Sequence, residues 1–83
     1  SETVSPPTQK AQRARITPQT TLNMAQLCKD QAAIRYNTQT QLVDVNHFEQ
    51  FQASYELSGR TGKNERFICS FDPDGQFMHL SMR

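Results

Sequence analysis

The spacing of apolar residues changes near Asn37, and this change is the strongest constraint that the sequence places on the fold. Before Asn37, apolar side chains recur at intervals of three and four residues, which is typical of one face of an α-helix. After it, they alternate with polar residues, which is typical of strands with one face in water. A chain of 83 residues forms at most one domain, so the helix and the strands must share one core.

The helix is predicted over about residues 22–37. Asn23 is its expected N-cap, with Gln26 three residues on as in a capping box, and Thr21 is the alternative. Asn37 is expected to end the helix, because asparagine tolerates the left-handed conformation found at helix ends. The apolar stripe of the helix consists of Met24, Leu27, Cys28, Ala32 and Tyr36.

Three or four antiparallel strands are predicted after the helix. The predicted strands cover residues 42–45, 48–57, 67–71 and 76–82, with a loop over 59–64. The alternation of the second strand is clear only from Phe51. In the second strand Phe51, Ala53, Tyr55 and Leu57 are expected on one face, and in the third Phe67, Cys69 and Phe71. The last strand takes its register from Phe77 and either Met78 or His79. A helix with one apolar stripe and a sheet with one apolar face cover each other, which predicts a two-layer α+β fold.

Residues 1–20 differ in composition from the rest of the chain. They hold three of the four prolines and only Val4 and Ile16 as large aliphatic residues. Such a segment cannot bury enough apolar surface to offset the entropy that it would lose on ordering. We therefore predict a disordered N-terminal tether over 1–20 and a folded domain over 21–83.

Cys28 and Cys69 are both predicted to face the seam between helix and sheet. Cys28 belongs to the helical stripe, and Cys69 lies between Phe67 and Phe71 on the apolar side of its strand. Two cysteines are too few for a tetrahedral zinc site, and these two are too far apart for a CxxC redox motif. In a reducing cytosol they would be buried thiols, whereas in an oxidising compartment they would form one disulfide.

The remaining composition and motifs give no support to enzyme or cofactor chemistry. A net charge of +1 gives no reason to expect nucleic acid as a partner. His47 and His79, the only imidazoles, lack partners suited to a metal site or to acid–base catalysis. A surface position is expected for His47, and His79 is expected either to pair across strands with Arg66 or Glu65 or to face solvent. Asp72-Pro73-Asp74-Gly75 lacks the further ligands of a calcium loop and predicts a tight turn. We expect no enzyme activity, no catalytic or metal site and no cofactor.

Several segments of the chain resemble the YsaB family of uncharacterised enterobacterial lipoproteins. The longest are Leu27-Cys28-Lys29-Asp30-Gln31-Ala32-Ala33, Phe48-Glu49-Gln50-Phe51-Gln52 and His79-Leu80-Ser81-Met82-Arg83. Shorter ones are Gln9-Lys10-Ala11-Gln12-Arg13, Leu22-Asn23-Met24, Arg35-Tyr36-Asn37-Thr38, Ser54-Tyr55-Glu56 and Cys69-Ser70-Phe71-Asp72. The resemblance extends over nearly the whole chain.

The resemblance implies a location and no activity. Such lipoproteins are exported with a signal, cut before a cysteine and acylated on that cysteine. With Ser1 as the residue after it, the usual sorting rule favours the periplasmic face of the outer membrane. The periplasm is oxidising, so the resemblance also implies a disulfide between Cys28 and Cys69. No site residues are transferred, because the family carries no biochemical activity to transfer.

Three classes of function remain open at this point. The favoured one is a monomeric accessory or protein-interaction module that contacts an envelope protein, with Phe48, Arg60 and Thr61 as its expected surface. The alternative is a periplasmic inhibitor of a lytic enzyme such as lysozyme, with the loop Ser58-Gly59-Arg60-Thr61-Gly62 as its candidate plug. The third is a small-ligand carrier, for which one helix over one sheet leaves little room.

Overall fold

A computed structural model describes residues 16–83, which form one helix packed on one face of a four-stranded sheet. Its elements are helix α1 (Pro18–Arg35), a short 3₁₀ helix (Thr40–Leu42), and strands β1 (Asp44–Gln50), β2 (Tyr55–Arg60), β3 (Arg66–Phe71) and β4 (Phe77–Met82). The strands follow one another in the order β1-β2-β3-β4, and each neighbouring pair is antiparallel. The predicted α+β fold is confirmed, with four strands in its sheet.

Helix α1 begins earlier than predicted, inside the stretch assigned to the tether. Thr17 is the N-cap, and its Oγ1 accepts a hydrogen bond from the backbone N–H of Thr20 at 3.1 Å. Pro18 follows at the first helical position, where its fixed φ suits the helix and its missing N–H costs no hydrogen bond. The Asn23 side chain, predicted as the cap, instead accepts a hydrogen bond from Gln19 Nε2. Residues 1–15 of the predicted tether lie outside the described residues.

The end of α1 matches the prediction for Asn37. This residue has a φ of 54°, and the last helical carbonyls are satisfied as in a Schellman motif. The N–H of Thr38 donates to the carbonyl of Ala33 at 2.9 Å, and that of Asn37 donates to Ile34 at 3.3 Å. Within residues 16–83, no helix combines the length and the hydropathy needed to cross a bilayer.

The first two strands and their turn differ from the prediction. The chain turns at residues 51–54, where the N–H of Phe51 donates to the carbonyl of Ser54 at 2.8 Å. Phe51 and Ala53 are therefore exposed turn residues, and only Tyr55 and Leu57 of the predicted stripe are buried. The predicted strand over 42–45 was wrong as well, because β1 begins at Asp44 and runs on to Gln50.

Gly59 lies in β2 and not in the predicted loop. A Cβ at this position would fall 2.8 Å from the backbone carbonyl carbon of Asp44 and 2.9 Å from the Cα of Val45. Only glycine permits β1 to approach β2 this closely. The pairing of β1 with β2 shifts register between Val45 and His47, next to this contact. The loop that was predicted over 59–64 is thus a turn that begins only after Arg60.

The core fills the seam between α1 and the sheet. Its buried residues are Met24, Cys28, Ala32, Ala33, Val43, Tyr55, Leu57, Phe67, Cys69, Phe71 and Leu80. The predicted alternation of Phe67, Cys69 and Phe71 toward the helix is confirmed, because each of them is at most 1% exposed. A disulfide joins Cys28 to Cys69 in this seam, with Cα atoms 5.8 Å apart, and connects the two layers directly.

Candidate functional site on the open face of the sheet

The face of the sheet turned away from α1 is called the open face here. Directly paired residues of neighbouring strands share a face, so the strand registers assign its members. They are Asp44, His47 and Glu49 of β1, Glu56, Ser58 and Arg60 of β2, Arg66, Ile68 and Ser70 of β3, and His79 and Ser81 of β4. Within the described part of the chain, the only long helix packs on the opposite face. The open face therefore presents side chains in a fixed arrangement on the side of the sheet that the described helix does not cover.

Three arginines lie in one row across the end of the open face. Arg60 of β2 is directly paired with Arg66 of β3, and the N–H of Arg83 donates to the carbonyl of Arg66 at 2.9 Å. Neighbouring strands lie about 4.8 Å apart, so the bases of Arg60 and Arg83 each lie about one strand spacing from that of Arg66. Together they line a surface pocket of about 420 Å³, whose other lining residues include Asn46, Ser58 and Ile68.

The positive charge of this pocket has no ionic partner within residues 16–83. The ion pair found there joins His47 to Glu49, at 3.7 Å and elsewhere on the open face. Asp44 is paired with Arg60 across β1 and β2, but their side chains form no ion pair. The guanidinium of Arg60 donates only to the amide oxygen of Asn64, at 3.3 Å. The three exposed cations therefore share one concave surface. Asp44 lies opposite Arg60 there, but no described carboxylate forms an ion pair with any of the three arginines.

The backbone beneath the arginines is held in place by hydrogen bonds. The carbonyl of Arg66 accepts from Arg83 N–H and also from the hydroxyl of Tyr36 at 3.1 Å. The second bond ties the end of α1 to the strand that carries Arg66. Burial raises the pKa of Tyr36, as does the nearby Glu65 carboxylate, while Arg35 lowers it. The hydroxyl therefore keeps its proton and remains a donor throughout the physiological pH range.

The three residues predicted as an interaction surface do not lie together. Phe48 is on the helix side of β1, where it stacks on Tyr55 with ring centroids 5.8 Å apart and stays 38% exposed. Arg60 is on the open face. Thr61 is 5% exposed and lies in the turn between β2 and β3. Contact of these residues with a partner remains a prediction. Phe48 and Arg60 lie on different faces of the sheet, and Thr61 is buried, so the three do not form one continuous surface.

Thr61 organises the turn between β2 and β3. Its Oγ1 accepts hydrogen bonds from the N–H groups of Lys63 and Glu65, both at 3.2 Å, and donates to the Glu65 carboxylate at 2.7 Å. Asn64 takes the left-handed conformation that the turn requires, with a φ of 66°. Thr61 is thus a structural residue that fixes where Arg60 and Arg66 face each other.

The structure agrees with the surface position predicted for His47, with the solvent-facing alternative for His79 and with the tight turn predicted at Asp72-Pro73-Asp74-Gly75. The side chain of His47 is 63% exposed, and His79 is exposed as well. Asp72 accepts from the N–H groups of Asp74 and Gln76, both at 2.9 Å, and Gly75 has a φ of 85°. Among residues 16–83, no group of three or more His, Cys, Asp or Glu side chains is placed to hold a metal.

The sequence profile of the YsaB-like lipoprotein family matches residues 9–83. The chain belongs to this family. Among its relatives, the protein named "Uncharacterized lipoprotein YsaB" from Escherichia coli O6:K15:H31 (strain 536) is 63% identical over 78 residues, which are 94% of this chain and 84% of the relative. Those from Shigella flexneri and E. coli K12 are 64% and 62% identical, each over 93% of this chain and 78% of the relative. No solved structure matches the chain.

Membership in the YsaB-like family confirms the resemblance seen in the sequence and implies attachment to a membrane of the cell envelope. The family name states no activity and no ligand, so the arginine row has to be interpreted from its geometry. Nothing supports the alternative of a lytic-enzyme inhibitor. Residues 58–60 of its predicted plug lie within β2 and form no protruding tip.

Proposed function

We propose that this YsaB-like protein is a lipid-anchored accessory or protein-interaction module on the periplasmic face of the outer membrane. It acts as a monomer and contacts an envelope protein without catalysing a reaction. The family supplies the lipoprotein character. The observation that carries the interaction role is the open face, where four strands hold polar and charged side chains in a fixed array on the side opposite α1.

The structure supports binding better than catalysis or transport of a small molecule. A catalytic site needs a nucleophile or an acid–base pair held in contact, and the titratable pair on the open face, His47 with Glu49, is exposed to solvent on both sides. A carrier encloses most of its ligand, whereas the arginine-lined pocket lies on the surface. An array of side chains on a sheet that a disulfide joins to its helix suits recognition of another component of the envelope.

Fractionation of cells that express the protein from its natural gene tests the anchoring. We expect incorporation of labelled palmitate and sedimentation with outer-membrane markers in a density gradient. Recovery in the inner membrane would contradict the sorting, and recovery without label in the soluble periplasm would contradict the anchor. Formaldehyde crosslinking of the same cells should give an adduct with an envelope protein, and a chain that stays uncrosslinked would contradict the interaction role.

A further inference from the structure

We propose that Arg60, Arg66 and Arg83 form a binding site for a phosphoryl group. This inference goes beyond the proposed function, because it concerns a ligand chemistry that would hold whether or not the chain is anchored. Its basis is that three arginines of one row line the same pocket of about 420 Å³.

The charges of the site identify the ligand as an anion. Arginines placed directly opposite each other on neighbouring strands repel, and here a third arginine extends the row. Within residues 16–83 no carboxylate pairs with any of the three, the described ion pair being that of His47 with Glu49. Arginine keeps its positive charge at any physiological pH. A bound anion would therefore remove the repulsion that the unliganded sheet retains.

The number and shape of the donors favour a phosphoryl group over a carboxylate. A guanidinium presents its donors as a planar fork that binds phosphate oxygens in pairs. A phosphomonoester carries a charge near −2 and three terminal oxygens, so it can accept from several guanidinium groups at once, whereas a carboxylate offers two oxygens and one charge. The amide of Asn46 and the hydroxyl of Ser58 line the same pocket and add neutral donors.

The surroundings of the site define what else the ligand can carry. A pocket of about 420 Å³ exceeds the volume of the phosphoryl group itself, and Ile68 gives part of its lining an apolar surface. A sugar or glycerol unit attached to the phosphate fits this description. The pocket opens on the sheet surface, so the phosphoryl group can belong to a lipid headgroup or to a free phosphorylated glycan. The carbonyl of Arg66, fixed by Tyr36 and Arg83, keeps the row assembled before the ligand arrives.

Titration of the 83-residue protein with inorganic pyrophosphate at low salt, followed by calorimetry and by NMR of the arginine side-chain N–H groups, tests the site. We expect saturable binding that shifts the signals of Arg60, Arg66 and Arg83, and no binding of acetate at the same concentration. Replacement of one arginine, Arg66→Gln, should weaken binding about tenfold or more, as expected for a lost hydrogen bond between charged groups. The matched control is Arg35→Gln, which removes an exposed arginine of α1 and should leave the affinity unchanged.

Two further arms identify the source of the phosphoryl group and keep the result interpretable. Cosedimentation with phosphatidylcholine vesicles that contain phosphatidic acid, compared with pure phosphatidylcholine, reports recognition of a lipid headgroup. Binding of glucosamine 1-phosphate without vesicle binding reports a free phosphorylated glycan. Thermal melts of each variant establish that it is folded. Absence of pyrophosphate binding, equal binding of acetate, or equal binding by folded Arg66→Gln would each overturn the proposal. None of these outcomes would affect the fractionation result on which the proposed function depends.

Discussion

Removal of the Cys28–Cys69 disulfide should lower the free energy of unfolding of the domain by about half. The crosslink joins residues 41 positions apart, and the chain-entropy model gives a stabilisation of about 4 kcal/mol for a loop of this length. The hydrophobic core of so small a domain supplies only about 3–5 kcal/mol net. Because the crosslink and the core contribute comparable amounts, loss of the crosslink removes about half of the free energy of unfolding.

The assay is urea and thermal unfolding of the double variant Cys28→Ala/Cys69→Ala, followed by circular dichroism. For a domain of this size each kcal/mol corresponds to about 4–8 °C in melting temperature, so we expect a decrease of about 15–30 °C. Wild-type protein in reductant should behave like the double variant, and reductant should not change the double variant itself. A reduced wild-type protein that unfolds within about 1 kcal/mol of the oxidised form would refute the reasoning.

Three further changes probe the described contacts. Gly59→Ala should destabilise the domain by about 2 kcal/mol or more in urea unfolding, because the methyl group would overlap the backbone of β1; Gly62→Ala, whose Cβ has no neighbour closer than 3.8 Å, should be nearly neutral. Tyr36→Phe should cost about 1 kcal/mol at neutral pH through the lost hydrogen bond to Arg66. It should also flatten the loss of stability above pH 10. Mild peroxide should oxidise Met82, 58% exposed, well before Met24, 1% exposed, as read by peptide mass spectrometry.

The sign of the Tyr36 effect follows from the direction of its pKa shift. Burial and Glu65 raise the pKa in the folded state above 10.0, so the unfolded chain releases this proton first as the pH increases. The contribution of Tyr36 to the free energy of unfolding is complete below pH 10 and is lost as the pH rises through the pKa of Tyr36 in the folded state. If wild type and Tyr36→Phe lost stability equally above pH 10, this explanation would be contradicted. Equal stabilities of the two glycine variants, or equal oxidation of the two methionines, would contradict the packing described for β1 and α1.

The parts of the fold that the sequence predicts are those with local signals. Asn37 ends α1 because asparagine reaches positive φ, and Asp72-Pro73-Asp74-Gly75 makes its turn from residues with matching preferences. The strict alternation of Phe67, Cys69 and Phe71 identifies the buried face of β3 without knowledge of its neighbours. Each of these features depends on residues only a few positions apart.

The parts that the sequence did not predict depend on contacts between distant residues. The turn over 51–54 holds no glycine or proline, so nothing local separates it from the strands on either side. Phe51 and Ala53 precede Tyr55 and Leu57 at intervals of two residues, so the apolar alternation of β2 continues through the turn. Gly59 was assigned to a loop because its close contact with Asp44 and Val45 exists only once β1 is paired. The start of α1 was missed because Pro18 was counted with the proline-rich segment before it.

The arginine row shows the same limit at the candidate site. The sequence indicates Arg60 but not Arg66 or Arg83. Arg66 comes beside Arg60 through the turn at Thr61 and the register of β2 with β3, and Arg83 comes beside Arg66 through the pairing of β3 with β4. Asn64, which takes a positive φ in the structure, is only a weak sequence signal for that turn. With both hairpins formed, the three arginines lie on the same face of the sheet.

We expect the protein to contact its partner through the open face of its sheet. The most direct test is in-cell photocrosslinking of the anchored protein, with a photoreactive residue at Glu56 or His79 on the open face, or at Leu22 or Gln26 on the exposed side of α1. We predict discrete adducts with an envelope component from the two open-face positions only. Adducts from the helix positions, with none from Glu56 or His79, would contradict the claim.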